Sequence, residues 1–327
     1  MNNLLVFLLS KSLIAFGIVL AVAYSAACVF LFVAQGKFIF FPARAIETTP
    51  DDFQLKYQDV WLPIPTKTGA VDSVHGWWIP ASGNPPSPPL SRGGARKGES
   101  FLATPQSDKR AIATVPALNK GLGGVVLYLH GNASNVGANV EHAYRFHRLG
   151  LSVFVMDYRG YGKSQGDFPS ESQVYEDAQL AWDYLVKQRG INPNQIYLYG
   201  HSLGGAIAID LAVRHPEAAG LVVEGSFTST RAMVNFQKGL FWMFPIDLLL
   251  TQRFDSLSKV DRLQMPVLFI HGTADNVVPV EMSKKMFEAA PEPKQLYIVP
   301  DGGHTNVAQI GGAEYLQILS QFLGSSK

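Results

Sequence analysis

Two pentapeptides in the chain place a serine between glycines. GKSQG covers residues 162–166 and GHSLG covers residues 200–204, and both fit Gly-x-Ser-x-Gly. A serine hydroxyl is a weak nucleophile, but beside a base that takes its proton it attacks acyl carbons. A turn that presents the oxygen needs a strand running straight into it, a helix leaving it, and glycines where side chains would collide. GHSLG meets these demands. QIYLY runs directly into Gly200, and LGGAIAIDLAVRH follows as an amphipathic helix. Ser202 then stands at a helix N-terminus, where backbone N–H groups and the macrodipole stabilise a developing anion. GKSQG does not meet them. Its strand, SVFVMDY, ends before Arg159-Gly160-Tyr161, and DFPSES, with Pro169, follows. Ser164 is therefore expected to be a loop serine and Ser202 the nucleophile.

The base that Ser202 requires is one of eight histidines. His304, in VPDGGHTN, follows the strand QLYIVP on a loop with two glycines that let it bend back over a sheet. His271 opens the turn HGTAD and His130 the turn HGNA, where local hydrogen bonds account for them. His201 flanks the serine and is expected to point elsewhere, and His75, His142, His147 and His215 read as surface or core residues. The base in turn needs a carboxylate that fixes its tautomer and stabilises the imidazolium. Asp275, in HGTADNVVP, gives the chain order Ser…Asp…His. Glu224, at the end of GLVVEG, is the rival, with capping of loop N–H groups as its structural alternative. Asp157 precedes the serine and reads as a loop-capping aspartate. A tetrahedral oxyanion needs two preorganised donors. The backbone N–H groups of Leu203 and of Asn132, in the turn after VVLYLH, are the candidates.

These residues require elements that bring distant turns together. VVLYLH, SVFVMDY, QIYLYG, GLVVEG, PVLFIHG and QLYIVP are near-continuous apolar runs, as expected of strands buried on both faces. Helical stretches alternate with them: ESQVYEDAQLAWDYLVKQ, LGGAIAIDLAVRH, EMSKKMFEAA and AEYLQILSQFL. The alternation predicts an α/β fold with a mostly parallel central sheet flanked by helices. VWLPIP and VHGWWIP predict an antiparallel hairpin at one edge. Residues 82–122, rich in Pro, Gly, Ser and charge, show neither period and read as a flexible surface insertion.

Together, LHGNA, DYRGYGKSQG, YGHSLGG, LFIHGTADNVVP and GGHTN, in that order, resemble the α/β-hydrolase family over roughly residues 60–322. The N-terminal apolar segment followed by FIFFP looks like the membrane-anchored branch related to bud-emergence-type hydrolases and protein depalmitoylases. The resemblance implies a Ser202, Asp275, His304 triad with Leu203 and Asn132 at the oxyanion hole. It also places GKSQG in a recurring loop of the family. The insertion at 82–122 departs from relatives that have a short turn there. The branch includes esterases, thioesterases, lipases and peptidases, and fold does not choose among them. The segment 228–262 can form a cap in this fold, and its GLFWMFPIDLLL suits an acyl chain or lipid; alternatively it packs onto the core.

Twenty-five residues without a charge, Ser12 to Gly36, are long enough to cross a bilayer as a helix. The chain is thus divided into a membrane anchor at 1–36 and a hydrolase domain at 37–327. A cleaved signal peptide with small residues at Ser25-Ala26-Ala27 is the rival, but the apolar run continues past them. The balanced flanking charges give no orientation. The 327 residues, 47% hydrophobic, suffice for one large domain or two small ones. A net charge of +1 and no basic run interleaved with aromatics argue against nucleic acid as a partner. The single cysteine, Cys28, excludes an internal disulfide. The histidines lack helical i, i+4 pairing with carboxylates, and Gly160-Tyr161-Gly162 opens a loop rather than a helix. No metal or cofactor is expected. The reading is a membrane-anchored serine hydrolase of ester or thioester bonds acting on small-molecule, lipidic or acylated substrates. A serine peptidase of aminopeptidase type, with Asp247 or Asp255 holding a substrate amine, and a non-catalytic membrane-tethered scaffold are the alternatives. The oligomeric state is not legible.

Overall fold

The computed structural model describes residues 2–65, 69, 71–81, 122–237 and 239–324. All of the expected insertion but its last residue lies outside them. The eight strands among the described residues form one sheet. They are β1 (Gln58–Pro65), β2 (Val71–Ile79), β3 (Val125–Leu129), β4 (Ser152–Met156), β5 (Ile196–His201), β6 (Gly220–Glu224), β7 (Val267–Gly272) and β8 (Lys294–Val299). Their spatial order is β1-β2-β4-β3-β5-β6-β7-β8. The hairpin β1–β2 is antiparallel and joins β4 in antiparallel register, with Gly76 opposite Met156. All other neighbours are parallel.

The residue pattern of each strand explains its place. The central strands β3, β5, β6 and β7 are buried along their whole length. Their successive side chains feed two different cores. Val125, Leu127 and Leu129 point to one face and Val126 and Tyr128 to the other. β1 buries Val60, Leu62 and Ile64 and exposes the residues between them. Pro63 and Pro65 are tolerable there because an edge strand need not donate outward.

Helices cover both faces. α1 runs from Asn2 to Ile39, α2 from Val140 to Arg148, α3 from Glu171 to Asp183 and α4 from Leu203 to Arg214. α5 (Thr230–Phe236), α6 (Ile246–Leu249), α7 (Val280–Ala289) and α8 (Val307–Gly324) follow. α3, α4 and α7 pack on one face through Ala178, Ile207 and Met286. α2 and α8 pack on the other through Phe146, Tyr315 and Leu319. α8 starts earlier than the apolar pattern at 313–323 predicts, and Gly312, at φ 51°, kinks it. α1 stands apart. It is 38 residues long, about 57 Å at the α-helical rise, and it is the helix among the described residues that is long and apolar enough to cross a membrane.

Candidate active site

The parallel strands all point their C-terminal ends the same way, and the loops there converge. In register, Leu129 of β3 lies opposite Gly200 of β5, His201 opposite Glu224 of β6, and Gly272 of β7 opposite Val299 of β8. Ligand crevices of open α/β sheets form at that end.

Ser202 links β5 to α4 with φ 54° and ψ −119°. A serine in this region carries strain of order 1–3 kcal/mol, held only because the surroundings fix it. The GHSLG glycines are the reason the turn closes. A Cβ on Gly200 would lie 2.2 Å from the Gly204 carbonyl oxygen, and one on Gly204 would lie 1.9 Å from that of Leu129. The Ser202 N–H donates to the Glu224 carbonyl at 2.9 Å, and Ser226 Oγ donates to the Ser202 carbonyl at 2.8 Å.

His304 Nε2 lies 3.0 Å from Ser202 Oγ, and its Nδ1 lies 2.7 Å from Asp275 Oδ2. A carboxylate only accepts, so Nδ1 carries the proton and Nε2 presents its lone pair to the serine hydroxyl. Asp275 is fixed from the other side. Its Oδ1 accepts from the N–H groups of Val277 and Val278 at 2.9 and 2.8 Å. His271 Nε2 approaches Oδ2 at 3.2 Å while also lying 2.9 Å from the Val278 carbonyl. That carbonyl can only accept, so the Nε2 proton is present and points at both. Burial alone would raise the Asp275 pKa. The hydrogen bonds from His271, His304 and the Val278 N–H outweigh it and hold the carboxyl well below the usual carboxylate range. The group therefore stays ionised where a histidine base works.

Leu203 is the first residue of α4, so its N–H has no intrahelical partner. Asn132 lines the same cavity as Ser202 and Leu203. Its side chain is committed elsewhere. Oδ1 accepts from the N–H groups of Phe41 and Ala133 and from the Tyr161 hydroxyl, and Nδ2 donates to the Ile39 carbonyl. The amide thus bolts the turn after β3 to the end of α1, leaving the backbone N–H as the group to offer an oxyanion. Gly131 lets this turn approach: a Cβ there would sit 3.2 Å from Ser202 Cβ.

Ser164 lies in the loop after β4, as expected of a loop serine, and is fully buried there. Its Oγ donates to the Asp157 carbonyl at 2.9 Å and accepts from the His75 N–H at 2.8 Å. Gly162 beside it exists because a Cβ would meet Asp157 Oδ2 at 1.9 Å. Asp157 accepts from the Val136 N–H at 2.9 Å, a loop-fixing role. Among the described residues the Glu224 carboxylate caps no loop N–H group; it accepts from the Tyr315 hydroxyl at 2.7 Å in the interior. His201 was expected to point away from the site, yet its Nε2 donates to the His304 carbonyl at 2.9 Å. Burial lowers its pKa, so it donates as a neutral ring. Its partner is 103 positions away, a contact no local pattern signals.

A cavity of about 310 Å³ opens beside Ser202, within the range of small-molecule sites. Phe227, Met233, Phe241 and Leu250 line it from the segment 228–262 and the residue before it, and Leu31 and Phe38 line it from α1. Among the described residues that line it, none carries a formal charge.

Residues 122–250 and 248–308 match the Hydrolase_4 family, described as serine aminopeptidase, S33. An uncharacterized protein of Mycobacterium tuberculosis strain H37Rv is 37% identical over 64% of this chain and 72% of its own. Alpha/beta hydrolase domain-containing protein 17B of Xenopus laevis is 34% identical over 61% of this chain and 65% of its own. Among solved structures, an esterase of Pyrococcus furiosus superposes with a TM-score of 0.61 at 20% identity, covering 86% of this chain and 97% of the esterase. A puromycin-hydrolyzing peptidase of Mycobacterium tuberculosis superposes with a TM-score of 0.57 at 18% identity, covering 84% of this chain and 40% of the peptidase. At these identities the two structures establish a shared fold and nothing about substrate.

Proposed function

The chain belongs to the Hydrolase_4 family of α/β-hydrolases, and from that premise we propose that it is a membrane-anchored serine hydrolase cleaving ester or thioester bonds of acylated or lipidic substrates. The observation that carries the reading is the run of contacts from Asp275 Oδ2 through His304 to Ser202 Oγ, at 2.7 and 3.0 Å. Ser202 Oγ attacks the acyl carbon as its proton passes to His304 Nε2, and Asp275 stabilises the imidazolium. The carbonyl electron pair moves onto oxygen, where the N–H groups of Leu203 and Asn132 receive it. Collapse expels the alkoxide or thiolate, which takes the proton back from His304 and leaves an acyl group on Ser202. Water then gives a proton to His304 and attacks the acyl carbon, and the second collapse releases the acid and restores the serine.

The cavity supports an acyl group over a peptide N-terminus. A subsite for a substrate amine wants a buried carboxylate, and the described residues of the lining offer none. Asp247 pairs with Arg231 at 2.7 Å, and Asp255 caps the Ser258 N–H; neither lines the cavity. We assign residues 1–36 to the anchor, 37–327 to the hydrolase domain and 228–262 to a cap over the serine. The test is turnover of p-nitrophenyl acyl esters and acyl thioesters against aminoacyl p-nitroanilides. Ser202-dependent release from the esters alone supports the reading, and release from the anilides alone transfers it to a peptidase.

A further inference from the structure

We infer that the apolar helix α1 is not only a tether but one wall of the acyl pocket, and that the pocket takes its acyl chain from the bilayer along the seam between α1 and the cap. The inference rests on the hydrolase reading above and deepens it.

Helix α1 joins the cap along a defined seam. The Tyr24 hydroxyl donates to the Met243 carbonyl at 2.9 Å, and its ring stacks on Phe244 at 5.6 Å and 4°. Further along, Gln35 Nε2 donates to the Leu249 carbonyl at 3.2 Å, and its Oε1 accepts from the N–H groups of Thr251 and Gln252 at 2.8 and 3.1 Å. Gln35 thus spends its amide on the cap backbone inside an otherwise apolar surface, which fixes the register of the two elements. Beyond it, Asn132 holds the Ile39 carbonyl and the Phe41 N–H. The helix is therefore pinned at both the cap and the candidate oxyanion turn, with the cavity between.

The side chains that face the cavity from α1 are Leu31, Gln35, Phe38 and Ile39, one stripe at helical spacing. The Tyr24 contact lies thirteen residues, about 20 Å, before Lys37. The cap is thereby carried along the apolar part of α1 instead of below its charged end. Its own surface suits that position. Leu240, Trp242 and Leu248 are 71, 81 and 80% exposed, a cost in water that disappears against lipid, and Trp is favoured near the headgroups. Lipid is the occupant that this face is continuous with, since the uncharged stretch Ser12–Gly36 beside it is exposed from Ser12 to Ala26.

The experiment uses the full-length protein in phosphatidylcholine vesicles and reads the ratio of dodecanoate to acetate p-nitrophenyl ester hydrolysis. Leu31→Trp places an indole in the pocket wall and is expected to lower that ratio by about tenfold or more. Val29→Trp adds the same group on the opposite side of the helix, 62% exposed and outside the cavity lining, and is expected to keep the wild-type ratio. Fluorophosphonate labelling of each variant verifies that the site is assembled. A labelled Leu31→Trp with an unchanged ratio overturns the inference, as does an equal fall in Val29→Trp. If the wild type hydrolyses neither ester, the hydrolase reading fails, and the pocket is read without turnover. A palmitic acid bearing a mid-chain diazirine is then expected to crosslink the cap in a way that Leu31→Trp removes and Val29→Trp leaves. Equal crosslinking in both overturns the inference on its own.

Discussion

Ser202, His304 and Asp275 lie far apart in sequence and meet through two hydrogen bonds. Their candidacy was legible because each carries a local signature: a strand–turn–helix around the serine, and loops after strands for the other two. Glu224 was a credible rival until its bond to Tyr315 accounted for it. The role of His201 was not legible, since it depends on where a loop 103 residues away returns. At this scale Asp275→Asn is expected to leave the fold intact and lower kcat/KM by roughly 10⁴, because the neutral amide no longer selects the productive tautomer. The same substitution changes the acid limb of stability. The carboxyl is held below its ordinary value near 4, so it stabilises the fold fully above that pH. That contribution is lost as pH falls from there through the depressed value. Asp275→Asn is therefore expected to lose less stability than wild type below about pH 4, measured by thermal melts across that range. His201→Ala is expected to lower kcat roughly ten- to hundredfold with KM little changed, by freeing the loop that carries His304. His201→Gln, whose amide can still donate to the His304 carbonyl, is expected to recover part of it; equal loss in both would point to packing instead.

The strands were the most legible elements, because full burial on a parallel sheet demands unbroken apolar runs such as VVLYL and VLFIHG. The hairpin was legible as the two segments VWLPIP and VHGWWIP on either side of a short break; that β1 turns Val60, Leu62 and Ile64 inward came from the structure. Helix α2 was not assigned from sequence. It has nine residues, and its buried face mixes Val140, Ala143 and Phe146 with Arg145 and His147, which blurs the apolar stripe. The segment 228–262, proposed as a cap, was not resolved from sequence into α5, α6 and the 3₁₀ turns at Leu240–Met243 and Val260–Arg262, which are too short to show a period. Element packing makes its own prediction. Gly204→Ala would drive a Cβ to 1.9 Å from the Leu129 carbonyl, so α4 must move off β3. It is expected to cost about 1–3 kcal/mol of stability or more, and to abolish fluorophosphonate labelling. A variant with wild-type melting and labelling would show that the elbow tolerates a side chain.

At the scale of the molecule, one fold combines a covered parallel sheet with an apolar helix whose C-terminal half is bound to the segment 228–262 and to Asn132. The sequence offered residues 1–36 as an anchor and the segment 228–262 as a cap or a piece packed on the core, but not that the two touch, because that seam is built by single side chains, Tyr24 and Gln35. Anchorage predicts that protein purified from membranes keeps its first 27 residues in peptide maps and stays with the membrane through a carbonate wash. Loss of those residues would indicate a cleaved leader. The central claim, that Ser202 is the nucleophile of an acyl-transfer site, is tested most directly by fluorophosphonate labelling of wild type, Ser202→Ala and Ser164→Ala, with the adducted peptide identified by mass spectrometry. The account predicts an adduct on the peptide containing Ser202, lost in Ser202→Ala and retained in any Ser164→Ala protein that folds. An adduct at Ser164, or full labelling of Ser202→Ala, would contradict it.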